Sequence, residues 1–549
     1  MSAVKEAIQF GIKKAGASND PRQVDSTGEA KASLTPELVV ALCGPIGSPL
    51  HEVAEQLEGA LTPYGYKTQK VRLSQIIALN AEKLGVPISK NSKLAEIKSL
   101  IAAGDKLRET HGNDILAKLA IAKISADREQ KFGQFSDKVD EAEVPKDQKI
   151  SAQRVCHIVD SIKNKSELEL LRLVYGDALL SIGVFSPLEV RRGNLENSTA
   201  GSLKSGELGE LIDTDSGEEF SHGQSVRDTF PRCDFFLRVD YSVFGPTEAQ
   251  AAGQISTKIR RLFGLVFRTA VITPTAEETA MYAAASAARN SACLSRQVGA
   301  AITSRSGELL SVGWNDVPQA GGGLYGKPPL VATDLNVAAE DDRRCFARAG
   351  TYCSNDKEKK EIARKVAALL VTKKLVRSED LGAAVDAISA DTQVKDLIEF
   401  SRAVHAEMHA ILGASRVAGD RVVNGKIFVT TYPCHSCARH IVAAGITEVH
   451  YIEPYRKSMA TKLHPDALSE SIGDEGKVRL IQFDGVSPRR FIDVFEAGDR
   501  KTGGVLNLKA KEGAKPSTHV SLKAIPRLEE AVVAELQTRD VTYLSLSTA

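Results

Sequence analysis

The chain has 549 residues, with 71 Lys+Arg against 70 Asp+Glu and 42% hydrophobic residues. At roughly 100–200 residues per domain this length calls for more than one domain, and the ordinary apolar fraction excludes wholesale disorder. A net charge of +1 argues against a chain that neutralises many phosphates non-specifically, though a local basic pocket for one nucleotide stays open.

Residues 1–35 are rich in Gly, Ser, Asp, Pro and Lys without sustained periodicity, and read as a flexible tail. They lack the apolar stretch of a secretory signal, and no apolar run approaches the ~18–20 residues of a membrane helix. A cytoplasmic protein with no membrane partner is the expectation. Residues 38–43 (LVVALC) read as a buried strand, followed by Gly44-Pro45-Ile46-Gly47-Ser48-Pro49. Val53, Ala54, Leu57 and Leu61 then recur at helical spacing. Strand, glycine turn and helix suggest a phosphate-binding loop at Gly44, Gly47 and Ser48. The loop departs from G-x-x-x-x-G-K-[ST]. Pro49 replaces the last glycine and removes a backbone donor, and Leu50 and His51 occupy the Lys and Ser/Thr positions. Without that lysine, phosphoryl transfer is poorly supported, so a nucleotide-sensing or architectural role is expected.

Further along, 155–159, 178–185 and 235–239 read as strands and 168–175 as a helix. Alternating strands and helices imply an α/β fold with a mostly parallel sheet covered on both faces. The second half opens near Thr273-Pro274, with Thr275 as the cap of an alanine-rich helix over 276–293. Residues 297–303 and 308–314 flank Arg305-Ser306-Gly307 and read as a hairpin. Residues 316–353 look irregular and 354–402 helical and charged. A helix over 405–418, a strand over 426–431, a helix over 437–444 and a strand over 448–452 follow. The last 50 residues read as an extension of this second half.

The eight cysteines are too sparse for a disulfide framework, but Cys434 and Cys437 are spaced C-x-x-C. Six of the eleven histidines fall between His405 and His464. His405-Ala406-Glu407 opens one helix, and Pro433-Cys434-His435-Ser436-Cys437 lies at a strand-to-helix junction. Zinc prefers thiolate and imidazole in a tetrahedron, and a catalytic ion keeps one position for water. His405, Cys434 and Cys437 would hold one Zn²⁺ with that position open. Glu407, two residues from a ligand, can sit beside the metal without binding it and move protons. The alternative is a closed structural site, which needs a fourth ligand; His435 and His440 are nearby candidates. It leaves Glu407 without a role. Cys345 and Cys353, in the insertion, are read as ordinary thiols, with a second zinc as the alternative.

H-x-E followed by P-C-x-x-C resembles the signature of zinc nucleobase deaminases. Ser295-Arg296-Gln297-Val298-Gly299-Ala300 resembles the entry to the first strand in deoxycytidylate deaminases. Asn315, after Trp314, resembles that fold's sugar-contacting asparagine, the alternative being a turn-forming Asn. Arg296, Tyr451 and Lys462 are candidates for base or phosphate contact, as are Tyr455, Arg456, Lys457 and His464, with solvated surface charge as the alternative. Gly104–Arg108, 159–164 and the pair Arg191-Arg192 resemble acceptor-side, core-strand and lid segments of small P-loop kinases.

The pairing of the halves, over roughly 36–500, resembles bacterial anti-phage dCTP deaminases. The resemblance implies a degenerate P-loop kinase-like regulatory domain over 36–270. It implies a three-layer α/β/α deaminase domain of CMP/dCMP type over 271–500 with an insertion at 316–402. An extension over 501–549 would follow. It further implies hydrolytic deamination of free dCTP or dCMP, depletion of the dCTP pool during infection, and a homo-oligomer. A regulatory small RNA or nucleotide would act at the N-terminal domain. The alternatives are a housekeeping dCMP deaminase, a polynucleotide cytosine or adenine deaminase, and a non-catalytic nucleotide-binding regulator.

Overall fold

The structure is a computed structural model. It describes residues 34–128, 153–198, 225–325, 342–347, 352–453, 458–498, 500–517, 520 and 524–542, with 27, 206, 209 and 211. The expected tail over 1–35 and Tyr455, Arg456 and Lys457 lie almost wholly or wholly outside these residues.

The fold is α/β, built on two six-stranded sheets. The first has the order β12-β5-β4-β1-β3-β2. Its parallel strands are β1 (Leu38–Cys43), β2 (Lys67–Arg72), β3 (Val155–Ile162), β4 (Leu179–Phe185) and β5 (Phe235–Arg238). β1 is buried along its length because alternate side chains enter two separate cores. Val40 and Leu42 pack with the helices Leu50–Leu61 and Glu248–Val266, while Val39 and Ala41 pack with Ile115–Asp127 and Lys165–Tyr175.

The second sheet has the order β10-β11-β9-β8-β6-β7. β6 (Gly299–Thr303) and β7 (Leu309–Trp314) form the expected antiparallel hairpin, and β6 also runs antiparallel to β8. β8 (Lys426–Thr431), β9 (Glu448–Glu453), β10 (Leu468–Ser469) and β11 (Val478–Gln482) are parallel. Helix Ala276–Ala288 covers one face through Ala280, Met281 and Ala284 against Ala301 and Phe428. Helix Ala406–Val422 covers the other, with Ala406, Ala410 and Ala414 against Ala300 and Ile302. Two glycines set these distances. A Cβ on Gly299 would lie 1.9 Å from the Ala284 carbonyl oxygen, and one on Gly313 would lie 2.4 Å from the Ala406 oxygen and the Ala410 nitrogen. Gly313 thus brings the start of the Ala406–Val422 helix, which carries His405 and Glu407, directly onto the sheet.

The alanine-rich helix ends at Ala288 rather than running to residue 293. Arg289 and Asn290 donate to the Ser286 and Ala287 carbonyls at 3.1 and 3.0 Å, tightening the last turn. Its start is as expected: Thr275 caps it, and Glu278 returns a bond to the cap.

The halves share structure. β12 (Gly485–Val486), which follows the second sheet, pairs antiparallel with β5 of the first. A common core joins Cys43, Phe230 and Phe236 to Met281, Phe428 and Phe483. The C-terminal helix Ile525–Gln537 does not extend the second half. It packs Ile525, Val532 and Leu536 into the first half's core beside Ile115–Asp127.

Candidate functional site

His405 is the N-cap of the Ala406–Val422 helix, and Cys434 is the N-cap of the helix His435–Ala443. The two N-termini meet. His405 Nδ1 lies 3.5 Å from Cys434 Sγ and 3.3 Å from Cys437 Sγ, and the Cys437 backbone N–H points at Cys434 Sγ across 3.4 Å. A tetrahedral zinc with Zn–S near 2.3 Å and Zn–N near 2.05 Å places its nitrogen and sulfur ligands about 3.5 Å apart. The three side chains therefore fit zinc in identity and in spacing. Among the described residues this metal-competent group has three members, all with ligand atoms within 4.8 Å of one another. Neither His435 nor His440 joins it: His435 Nε2 sits 4.0 Å from Glu399, and His440 Nδ1 lies 2.6 Å from the Ser436 carbonyl.

The electrostatics follow from burial and proximity. A bond from the Cys437 thiol, then His405, pushes Cys434 down to about 4, so it is a thiolate at neutral pH. The Cys434 sulfur in turn raises His405 to about 9. Cys437 is pushed well up, first by Cys434 and then by burial. Glu407 is 4% exposed, and burial raises its carboxyl above the usual range, reinforced by Cys434. A carboxyl with a raised pKa beside a metal site suits proton transfer near neutrality.

A cavity of about 580 Å³ opens onto His405, Glu407 and Cys434. Asn315 and Arg296 line it. The Asn315 amide already accepts from Val298 N at 2.7 Å and donates to the Arg296 carbonyl at 2.8 Å, so its plane is fixed at the cavity wall. The Arg296 guanidinium holds Glu453 at 2.7 Å. Tyr451 and Lys462 do not line the cavity. Tyr451 shares the Val449 face of β9 and is buried in the core under the His405 helix, edge-on to Tyr432 at 4.8 Å. Lys462 is exposed on the short helix Ala460–Leu463.

Sequence reading missed four residues here. His409, one turn after His405, accepts from the Trp314 backbone N–H at 3.2 Å and meets the Trp314 ring edge-on. Burial lowers its pKa, which keeps Nδ1 an acceptor. Its spacing from His405 on one helix face was the available signal. Lys359 and Lys395 from the insertion and Arg227 from the first half also line the cavity. Nothing local in the sequence marks them. Cys345 and Cys353 line a neighbouring cavity of about 30 Å³ with Cys293, and sit 3.8 and 3.6 Å from the Ser354 and Ser295 hydroxyls respectively.

Gly44, Gly47 and Ser48 form the turn after β1, beside a separate and mostly apolar cavity of about 350 Å³. Its polar backbone is largely engaged. Lys163 Nζ donates to Gly44 O at 2.8 Å, Arg191 to Ile46 O at 3.3 Å and Asn194 to Gly47 O at 2.9 Å. His51 Nδ1 pairs with Asp160 at 2.9 Å. Arg191, half of the lid-like pair, thus braces the turn instead of standing over a cavity.

Residues 274–453 match the family described as the cytidine and deoxycytidylate deaminase zinc-binding region, and a resident zinc follows from that match together with the His405, Cys434 and Cys437 group. The chain is 43% identical over 67 residues to ComE operon protein 2 of Bacillus subtilis (strain 168), 12% of this chain and 32% of that protein. It is 40% identical over 55 residues to the deoxycytidylate deaminase of Enterobacteria phage T4, 10% of this chain and 28% of that one. The matched stretches thus span about a third of the length of these curated relatives. Among solved structures, a dCMP deaminase from cyanophage S-TIM5 aligns over 39% of this chain and all of its own, at 16% identity and a TM-score of 0.21. A gluconokinase from Sinorhizobium meliloti 1021 aligns over 43% of this chain and 99% of its own, at 14% identity and a TM-score of 0.21.

No described helix is long and apolar enough to cross a membrane.

Proposed function

We propose that the protein is a hydrolytic deaminase of free deoxycytidine nucleotides, converting dCTP, dCMP or both to the uracil form and ammonia. The observation that carries this reading is the buried Glu407 beside the His405, Cys434 and Cys437 group in the lining of a cavity large enough for a nucleotide. When bound, zinc polarises water and lowers its pKa towards neutrality. Glu407 takes a proton from the attacking water, whose oxygen adds to C4 of cytosine. Glu407 passes that proton to N3. It then moves the hydroxyl proton to the amino group, the C4–N bond breaks, and ammonia leaves as the C4 carbonyl forms. His409 and Gly313 hold the helix that presents Glu407. Asn315 forms part of the same cavity wall.

The likeness to phage deoxycytidylate deaminase favours dCMP as substrate, while the resemblance of the paired halves to anti-phage dCTP deaminases favours dCTP. In the second case the role is depletion of dCTP in infected cells, with the first half as the regulator. A deaminase of polynucleotides would want an aromatic-lined groove. Among the described residues, Tyr432 is the one Phe, Tyr or Trp that lines this cavity.

The test is ammonia release from dCTP, dCMP and cytosine in single-stranded DNA by wild type and Glu407→Ala. The expected result is turnover of a free nucleotide by wild type and its loss in the variant, with zinc retained. A variant that turned over at the wild-type rate would overturn the assignment. Nucleotide pools in cells expressing each form would show whether dCTP falls.

A further inference from the structure

The cavity over the zinc group takes its walls from three parts of the chain. His405, Glu407 and Cys434 belong to the second sheet's helices. Lys359 and Lys395 come from the insertion, and Arg227 from the short helix Val226–Thr229 of the first half. Arg227 is held from both sides. Val226 and Phe230 are buried in the core shared by the halves, with Met281 and Phe428. The Ser225 N–H donates to the Lys163 carbonyl at 2.8 Å, and its hydroxyl to Asp228 at 2.8 Å.

The cavity lining combines proton-transfer groups with cations. One part of its lining is the buried Glu407 with His405 and Cys434, all groups that accept or move protons. The same lining includes the half-buried Arg227 and the exposed Lys395. Lys359 donates to the Lys395 carbonyl at 2.9 Å and pairs with Asp356 at 3.3 Å; Asp396 also lines the wall. Attack on an uncharged cytosine ring uses none of these cations. A nucleotide carries an anion apart from its base, and this one cavity offers cations as well as the zinc group.

We propose that Arg227, together with Lys395, binds the phosphate chain of the substrate, so that the first half supplies a substrate-binding residue to the second half's active site. The proposal rests on the nucleotide-deaminase reading above. A guanidinium suits this role because its planar fork matches phosphate oxygens two at a time. The site is then complete only when both halves are docked. Displacement of Val226–Thr229 weakens nucleotide binding without touching the zinc group.

The experiment is steady-state kinetics of the full-length, zinc-loaded protein on deoxycytidine, dCMP and dCTP, for wild type, Arg227→Ala, Arg227→Lys and Lys395→Ala. Arg227→Ala is expected to raise KM for dCTP about tenfold or more, less for dCMP and least for deoxycytidine, with kcat within about threefold. Arg227→Lys recovers part of the loss. An unchanged ratio of KM values between dCTP and deoxycytidine in Arg227→Ala overturns the proposal, as does an equal loss of kcat on all three substrates. If wild type turns over none of them, the deaminase reading itself is at fault. Equilibrium dialysis of dCTP and deoxycytidine against wild type and Arg227→Ala then decides the binding question. A dCTP preference present in wild type and lost in the variant supports the phosphate contact; no preference, or one the variant keeps, overturns it.

Discussion

Arg261 grips Glu278 with both terminal guanidinium nitrogens, at 2.8 and 2.7 Å, and so ties the last long helix of the first half to the first helix of the second. Glu278 is 1% exposed. It also accepts from the backbone of Thr275, at its own helix start, and from Val486 in β12, both at 2.8 Å. One carboxylate therefore caps a helix, receives a strand and pairs with the other half.

Glu278→Ala strands the Arg261 charge and frees two backbone donors at once. Breaking a buried pair by removing one partner costs about 3–5 kcal/mol, and the partial exposure of Arg261 puts this case at about 3. Urea denaturation should show the midpoint falling by the equivalent amount. Arg261→Lys should cost less, about 1 kcal/mol, because charge survives while the two-pronged bond does not. A Glu278→Ala midpoint equal to wild type would show that the halves are not joined through this residue.

Removal of the metal should separate ligand from base. Cys434→Ser replaces a soft thiolate with a hydroxyl and should lower zinc content below about one-tenth of wild type, measured by elemental analysis after dialysis. Activity should vanish in parallel. Chelation of wild type should do the same and be reversed by added zinc. Far-ultraviolet circular dichroism should stay unchanged in both, because the sheet and its covering helices form a continuous apolar core without the ion. Loss of the fold on chelation would make the zinc structural.

The second sheet carries a charge ladder that predicts acid sensitivity. Glu448 in β9 sits in register with Lys426 on β8 and Arg479 on β11, and contacts them at 3.3 and 2.6 Å. His450 on its own strand is 3.0 Å away, and Glu277 from the covering helix shares Lys426 at 3.3 Å. The bond from His450, then the two cations, holds the Glu448 carboxyl down to about 2. A carboxylate depressed on folding stabilises fully above its unfolded pKa of roughly 4.3, and that contribution is lost as pH falls towards 2. Allowing for solvent screening it amounts to about 2 kcal/mol. Glu448→Gln should lose that much stability at pH 7 and show a flatter decline than wild type between pH about 4.5 and 2. Parallel pH–stability curves would remove Glu448 from the account.

What the sequence made legible was local. Residues 38–43 announce a strand because the run is short, apolar and followed by glycine. Thr275 announces a helix start because a capping residue precedes an alanine-rich run, while the returning bond from Glu278 is seen only in the structure. His405, Glu407, Cys434 and Cys437 stand out because metal chemistry restricts both residue type and spacing. The long-range partners carried no such mark. Arg227 reaches the cavity through the burial of Val226 and Phe230, and only the packed halves show where those two side chains go. β12 has two residues, too few for any period. Tyr451 was misplaced for a reason the sequence did contain: it alternates with Val449, so both share the covered face of β9. The Ile525–Gln537 helix shows an amphipathic pattern that says it is covered but not by what.

That last helix gives the final prediction. Glu529, 1% exposed, accepts from Arg128 at 3.0 and 3.2 Å and from the Tyr175 hydroxyl at 3.0 Å, while Arg128 also reaches Glu37. Arg128 and Tyr175 both belong to the first half. Glu529→Ala leaves a buried guanidinium with one carboxylate instead of two, and the Tyr175 hydroxyl without its acceptor. The combined cost is about 3 kcal/mol. Deleting residues 525–549 removes in addition the apolar cover of Ile525, Val532 and Leu536, about 1.5–3 kcal/mol for each buried side chain. The point variant should unfold at lower urea, and the deletion should leave the first half unstable at 37 °C. The second sheet, whose core contains none of these residues, should keep its zinc. Zinc content and limited proteolysis on the same samples test this. Protease cuts confined to the second half, with the first intact, would mean that the tail helix belongs elsewhere.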